Sequence, residues 1–128
     1  MGNCFQRAAD VHDSGLFYGE KVHKIYDVDQ LNKEILESKK NGKKVLVNFS
    51  ASWCAPCRTM APFYADLSAR HPLIIFLAID VNELSDICSA WGVEATPTIF
   101  FLENGEKVQK HVGLDKEELE EKLAKFVY

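Results

Sequence analysis

A chain of 128 residues, 47% apolar and 27% charged, has the size and make-up of one globular domain. It can bury about two-thirds of its unfolded surface, so its core needs no metal or disulfide. Its longest unbroken apolar run, Leu73 to Ile79, is seven residues where a bilayer-spanning helix takes about 20. Fifteen basic residues against nineteen acidic ones leave a net charge of −4, which argues against nucleic-acid binding through clustered cations. The one dense basic stretch, Lys39-Lys40-Asn41-Gly42-Lys43-Lys44, reads as the polar end of a helix entering a loop.

Residues 1–21 show no sustained periodicity and read as a flexible N-terminal extension, leaving residues 22–128 as the folded domain. Val22-His23-Lys24-Ile25-Tyr26 alternates as a half-buried strand does. Asp27 or Asp29 can cap a following helix whose apolar face is Val28, Leu31, Ile35 and Leu36, with Asn41-Gly42 as its stop. Val45-Leu46-Val47-Asn48-Phe49 has the nearly continuous apolar character of a strand covered on both faces. Met60, Phe63, Tyr64 and Leu67 then mark a helix, with Pro62 predicting a kink. Leu73 to Ile79 is a second buried strand, and Leu84 to Trp91 a short helix. Thr98 to Leu102 and Lys107 to Val112 flank Asn104-Gly105, a strong hairpin signal. Asp115, with Glu118 three residues on, opens a last helix that buries Leu119, Leu123 and Phe126. The order β-α-β-α-β-α-β-β-α predicts an α/β fold, a central mixed sheet with helices on both faces.

Four cysteines, at 4, 54, 57 and 88, are too few for a disulfide-stapled secreted scaffold, and the first 25 residues lack a secretory signal. A reducing intracellular setting is expected, where a close cysteine pair is catalytic or metal-binding more often than structural. Trp53-Cys54-Ala55-Pro56-Cys57 sits where a buried strand gives way to a helix. Unpaired N–H groups and the helix dipole there favour negative charge, lowering the pKa of a thiol and favouring the nucleophilic thiolate. Pro56 is tolerated in the first turn, where its missing N–H costs nothing. Cys54 is thus the attacking thiol and Cys57 the resolving one. The competing readings are an inert pair and a zinc site. Zinc would need Cys88 and scattered His12, His23, His71 or His111 to complete four ligands, with no second paired-ligand motif.

Trp53-Cys54-Ala55-Pro56-Cys57 after an apolar strand, Ala95-Thr96-Pro97-Thr98 about forty positions on, and Val112-Gly113 together resemble a thioredoxin across residues 22–128. Phe49-Ser50-Ala51-Ser52, Ile79-Asp80-Val81-Asn82-Glu83-Leu84 and the opening Met1-Gly2-Asn3-Cys4 are similar to plant h-type thioredoxins with an N-terminal extension. The resemblance implies a thioredoxin fold and a protein-disulfide reductase that works through a mixed disulfide. It makes Pro97 a cis-proline that brings the Thr96 backbone beside the sulfurs, to pair with an extended substrate peptide. Trp53, Ala55, Pro56, Thr96, Pro97 and Gly113 become the substrate groove; Trp91 is left to the core. It also implies no cofactor, with electrons from a thioredoxin reductase or from glutaredoxin and glutathione, and a part in electron transport and cell redox homeostasis. Disulfide-bearing proteins are the expected partners, nucleic acid is not one, and a monomer in the cytoplasm is expected. The rival of another class is a non-catalytic binding module using the Trp53/Pro97 groove, against which the intact cysteine pair argues.

Two positions depart from the family pattern. Ala55 stands where glycine is usual between the first cysteine and proline, a change expected to move the redox potential only slightly. Asn48, six residues before Cys54, stands where most members bury an aspartate, and Phe76 replaces a lysine often found near it. An amide cannot take a proton from the resolving thiol; Asn48 either slows resolution or is a satisfied core amide without catalytic effect. Gly2 and Cys4 fit N-myristoylation and palmitoylation, which would tie the chain to a membrane, although Gln6 stands where the motif asks for Ser or Thr. Otherwise Cys4 belongs to an ordinary tail or exchanges disulfides with the active site or glutathione. Cys88 reads as a small buried hydrophobe.

Overall fold

The structure, a computed structural model, describes residues 19–127; the expectations for Gly2, Cys4 and Gln6 lie outside them. Along the chain run β1 (Val22–Lys24), α1 (Val28–Asn41), β2 (Lys44–Ser50), α2 (Ala55–Arg70), β3 (Ile74–Asp80), α3 (Ser85–Ala90), β4 (Thr98–Glu103), β5 (Glu106–Val112) and α4 (Lys116–Val127). The strands form one sheet in the order β1-β3-β2-β4-β5. β3 is parallel to β1 and β2, while β4 is antiparallel to β2 and β5.

β2 is central because its side chains are apolar on both faces. Val45, Val47 and Phe49 pack with Leu31 of α1 and Ile87 of α3. Leu46 packs on the other face with Met60, Tyr64 and Leu67 of α2 and Leu119, Leu123 and Phe126 of α4. The buried Tyr64 hydroxyl lies 2.8 Å from the Leu77 carbonyl oxygen and 3.2 Å from that of Leu46, fastening α2 across β2 and β3.

Local signals end the elements where the sequence places them. Asp27, not Asp29, caps α1, its carboxylate accepting from the Gln30 N–H at 2.8 Å, and Gly42 ends the helix in the left-handed region. Asn104 and Gly105 have φ of 56° and 78°, the pair of positive values that a tight hairpin turn requires. The turn lies against α1, where a Cβ on Gly105 would stand 2.9 Å from Lys39 Cδ. Asp115 caps α4, accepting from the Glu118 N–H at 3.0 Å.

Three expectations are corrected. Val28 and Leu36 are exposed, because the stripe of α1 that meets the sheet is Leu31, Ile35 and Ser38. Leu36 lies about 140° round the helix from Leu31, and Ser38 is admitted because its hydroxyl donates to the Ile35 carbonyl at 2.7 Å. Leu73 is also exposed: pairing of β3 with β2 begins only at Ile74, opposite Lys44, so Leu73 lies past the end of the sheet. β1 is shorter than the alternation from Val22 to Tyr26 suggested, although Ile25 still donates to the Ala78 carbonyl at 2.9 Å. α2 runs through Pro62 as one helix.

Candidate active site

Sheet register alone gathers the three motifs at one end of the molecule. β2 and β3 finish together at Ser50 and Asp80. β4 begins beside them, with Thr98 paired to Phe49 on one side and Val112 on the other. Residues 51–57, 95–97 and 113 therefore meet where the central strand runs out.

Cys54 is the N-cap of α2, with extended backbone angles. Its own N–H donates to the Ala51 carbonyl at 3.2 Å. Its sulfur receives the Cys57 backbone N–H at 3.3 Å and lies 3.4 Å from the Thr96 hydroxyl oxygen, which donates to it. Two donors thus converge on one sulfur at a helix N-terminus, where orphan N–H groups and the dipole favour negative charge. The Thr96 carbonyl lies 3.6 Å from the same sulfur, within reach of the S–H of a protonated thiol. The Thr96–Pro97 peptide bond is cis.

The two cysteines are free thiols in different surroundings. Cys54 keeps 7% of its surface accessible and Cys57 none. Burial, first, and then the hydrogen bond with Cys54 push the Cys57 thiol up to about 12, against a lesser lowering from the Ala51 backbone and Thr96. Without its proton Cys57 would be a charge in an apolar environment; with it, a small hydrophobe.

Around the sulfurs, Trp53 is 40% exposed. Ala55 and Pro56 are exposed on the first turn of α2, and Thr96 is half-buried. Gly113, at φ 101°, donates its N–H to the Pro97 carbonyl at 3.0 Å and so ties the β5 end to the cis-proline loop. Arg58, which the sequence did not single out, donates to the Ser52 carbonyl at 3.0 Å and braces the loop before Cys54. No motif or periodicity marks that contact. Nor does any motif mark the Thr96 hydroxyl contact, although Ala95-Thr96-Pro97-Thr98 marks its segment as part of the site.

Asn48 is fully buried between β3 and β4. Its Oδ1 accepts from the Ser50 hydroxyl at 3.0 Å, while its Nδ2 has no partner among the described residues. The amide is half satisfied. Phe76 stands two residues before Ala78, the partner of Asn48 on β3, and its ring packs against Tyr64 at 5.2 Å. Trp91 is half-buried, with its ring 5.4 Å from Phe49 and 5.2 Å from Phe100. Cys88 is buried on α3 and disulfide-bonded, so it is more than the inert hydrophobe expected. Among the described residues, no three His, Cys, Asp or Glu side chains gather as a metal site; His111 is buried on β5 and His23 pairs with Glu34 at 3.2 Å.

Comparison with known proteins agrees with this geometry. The family model described as Thioredoxin matches residues 22–125. Thioredoxin H4-1 of Oryza sativa subsp. japonica is 49% identical over 125 residues, covering 97% of this chain and 95% of that protein. Thioredoxin H9 of Arabidopsis thaliana is 42% identical over 130 residues, covering 99% and 93%. The crystal structure of a poplar wild-type thioredoxin h superposes with a TM-score of 0.82 at 44% identity, covering 84% of this chain and 97% of that one. Such a protein needs no cofactor, since the two thiols carry the electrons. A strand-to-helix cysteine pair facing a cis-proline, in a chain matched end to end by h-type relatives, places this protein in the thioredoxin family, as a disulfide reductase of target proteins working through its Cys54/Cys57 dithiol.

Proposed function

We propose that Cys54 is the nucleophile and Cys57 the resolving thiol. The observation that carries this assignment is the contrast between the two sulfurs. Cys54 is partly accessible and receives two hydrogen bonds, whereas Cys57 is sealed off and held as a thiol by burial. The Cys54 thiolate attacks one sulfur of a target disulfide. A Cys54–target S–S bond forms, and the target's other sulfur leaves as a thiolate and takes a proton. Cys57 then loses its proton, and its sulfur attacks Cys54. The Cys54–Cys57 disulfide forms while the second target sulfur leaves and is protonated. Two electrons and two protons have passed to the target. Trp53, Ala55, Pro56, Thr96, Pro97 and Gly113 form the docking surface for an extended peptide, with the Thr96 backbone as its hydrogen-bonding edge.

The oxidised protein is reduced again by thioredoxin reductase or by glutaredoxin with glutathione, which makes it a carrier in cytoplasmic electron transport and redox homeostasis. It acts as a monomer. Acylation at Gly2 and, where its thiol is free, at Cys4 would hold it at a membrane, since two lipid signals give stable anchoring where one is marginal.

The test is reduction of insulin disulfides by dithiothreitol. The wild type should accelerate precipitation and Cys57→Ser should not. Cys57→Ser should instead accumulate a covalent adduct with insulin through Cys54, seen on a non-reducing gel, that Cys54→Ser cannot form. An adduct forming equally well in Cys54→Ser would reverse the two roles.

A further inference from the structure

At the far end of the sheet, opposite the cysteines, the chain gathers cations around apolar surface. β2 and β3 start there at Lys44 and Ile74, α1 ends at Asn41, α2 at Arg70 and α4 at Val127. A cavity of about 370 Å³ opens between them. Lys43, Lys44, Arg70 and His71 line it together with Pro72, Leu73 and other apolar groups, and none of the nine described residues that line it is acidic. Leu73 is 77% exposed, the most exposed of the large apolar side chains described.

Part of this charge has a structural explanation. Cations near helix C-termini offset the negative dipole end. Lys44 donates to the Phe126 carbonyl at 2.6 Å, and Arg70 is held by Asp66 and Glu120, each at 3.0 Å. Lys40 and Lys43 are exposed and make no ion pair among the described residues. Nothing in helix capping calls for an exposed Leu73 beside Lys43. A protruding apolar residue with lysines near it is a pattern with which proteins lie on anionic bilayers, the apolar tip entering the headgroup layer while the lysines remain among the headgroups.

We infer that this end of the molecule is a docking face for an anionic membrane surface, with Leu73 as the inserting residue, Lys43 as the cation beside it and Lys40, in the last turn of α1, as a further cation at the same end. The chain's own course agrees. β1 runs parallel to β3 with Val22 opposite Phe76, so the described chain enters from this end, and Gly19 lies against Ala65 in the C-terminal half of α2. The seven residues of β2 put Cys54 about 20 Å away, at about 3.3 Å per residue, so a docked molecule keeps its dithiol turned to solution. The face does not depend on acylation, and it goes beyond the proposed function in naming a surface.

The experiment uses the unacylated full chain and sedimentation with vesicles of phosphatidylcholine, with or without about one-third phosphatidylserine. Binding should need phosphatidylserine and should weaken as salt is raised across the range that screens surface charge. Lys40→Ala and Lys43→Ala should each weaken it about five-fold, and Leu73→Ala several-fold. Lys116→Ala, at the opposite end of α4, should leave it unchanged. Insulin reduction should be the same in all four variants, so a failure here is separable from a failure of the dithiol assignment. Equal binding to pure phosphatidylcholine, no binding at low salt, or a loss in Lys116→Ala as large as in Lys43→Ala would overturn the inference. So would vesicle binding that survives Leu73→Ala and Lys43→Ala combined. Binding to poly-glutamate but not to vesicles would assign the face to an acidic polypeptide instead.

Discussion

The second half of the catalytic cycle turns on a proton that no buried carboxylate among the described residues is placed to take. With the Cys57 thiol pushed up to about 12 by burial, its thiolate is scarce at pH 7. Formation of the mixed disulfide removes the hydrogen bond with the Cys54 thiol, which is the second cause of the shift. It leaves desolvation, the first and largest. The resolving step should therefore quicken by nearly ten-fold per pH unit between pH 6 and 9, the signature of unassisted deprotonation. Asn48→Asp places a carboxyl group where this chain has an amide. One of its oxygens would inherit the Ser50 hydroxyl donor at 3.0 Å, and the other would replace the buried Nδ2 that has no partner among the described residues. Desolvation raises a carboxyl pKa, and a base titrating nearer to neutrality is the more effective catalyst at pH 7.

A well-placed general base contributes about 10²–10⁴ in rate. Among the described residues Asn48 hydrogen-bonds Ser50 and not Cys57, so the lower part of that range is expected, about ten- to a hundred-fold at pH 7, with a flatter pH dependence. The assay is single-turnover release of an aromatic thiolate from a mixed disulfide preformed on Cys54, followed by absorbance from pH 6 to 9. A wild-type rate independent of pH would refute the claim that Cys57 deprotonation is unassisted. An Asn48→Asp rate no faster than wild type at any pH would refute the claim that the missing carboxylate matters.

Two further outcomes follow from the same site. Ala55 is the first residue of α2 and is exposed, so Ala55→Gly should alter helix propensity by about 1 kcal/mol at most; the potential equilibrated against glutathione should move by less than about 30 mV, and a larger shift would mean that Ala55 touches the disulfide's energetics directly. Cys57 also couples stability to alkaline pH: its thiol ionises near 9.0 when unfolded but near 12 when folded, so its contribution is complete below about pH 9 and is lost as pH rises toward 12, by at most about 1.4 kcal/mol per unit. The gap between the urea midpoints of the reduced wild type and Cys57→Ala should therefore narrow as pH rises above about 9, and a constant gap would contradict the burial argument.

Most of the architecture was legible because its signals are local. The caps at Asp27 and Asp115, the Asn104-Gly105 turn and the apolar run of β2 each act within a few residues, and each appears in the structure. The errors share a cause. Val28, Leu36 and Leu73 are apolar residues whose exposure depends on where the sheet ends and which stripe of α1 meets it, and those are long-range facts that periodicity does not contain. Cys54, Cys57 and Pro97 could be read because the motif that carries them is contiguous or nearly so. The Thr96 hydroxyl on the Cys54 sulfur and the Arg58 brace on Ser52 could not, because they arise only once the 51–57 and 95–97 segments are set by the sheet.

Register also accounts for the division of labour between two identical side chains. Cys54 is the last residue outside α2 and Cys57 the third inside it. A helix that begins between them turns one sulfur toward its own N–H groups and the Thr96 loop, and the other toward the core. No additional charged group is needed to make the pair unequal. One turn of helix laid on the end of a buried strand supplies both an accessible, hydrogen-bonded sulfur and a sealed one. The sealing that keeps Cys57 protonated also keeps it from the target until the mixed disulfide brings the reacting bond to Cys54. Its price is a slow proton, which is why the substitution most informative about this chain's mechanism is at Asn48 and not at either cysteine.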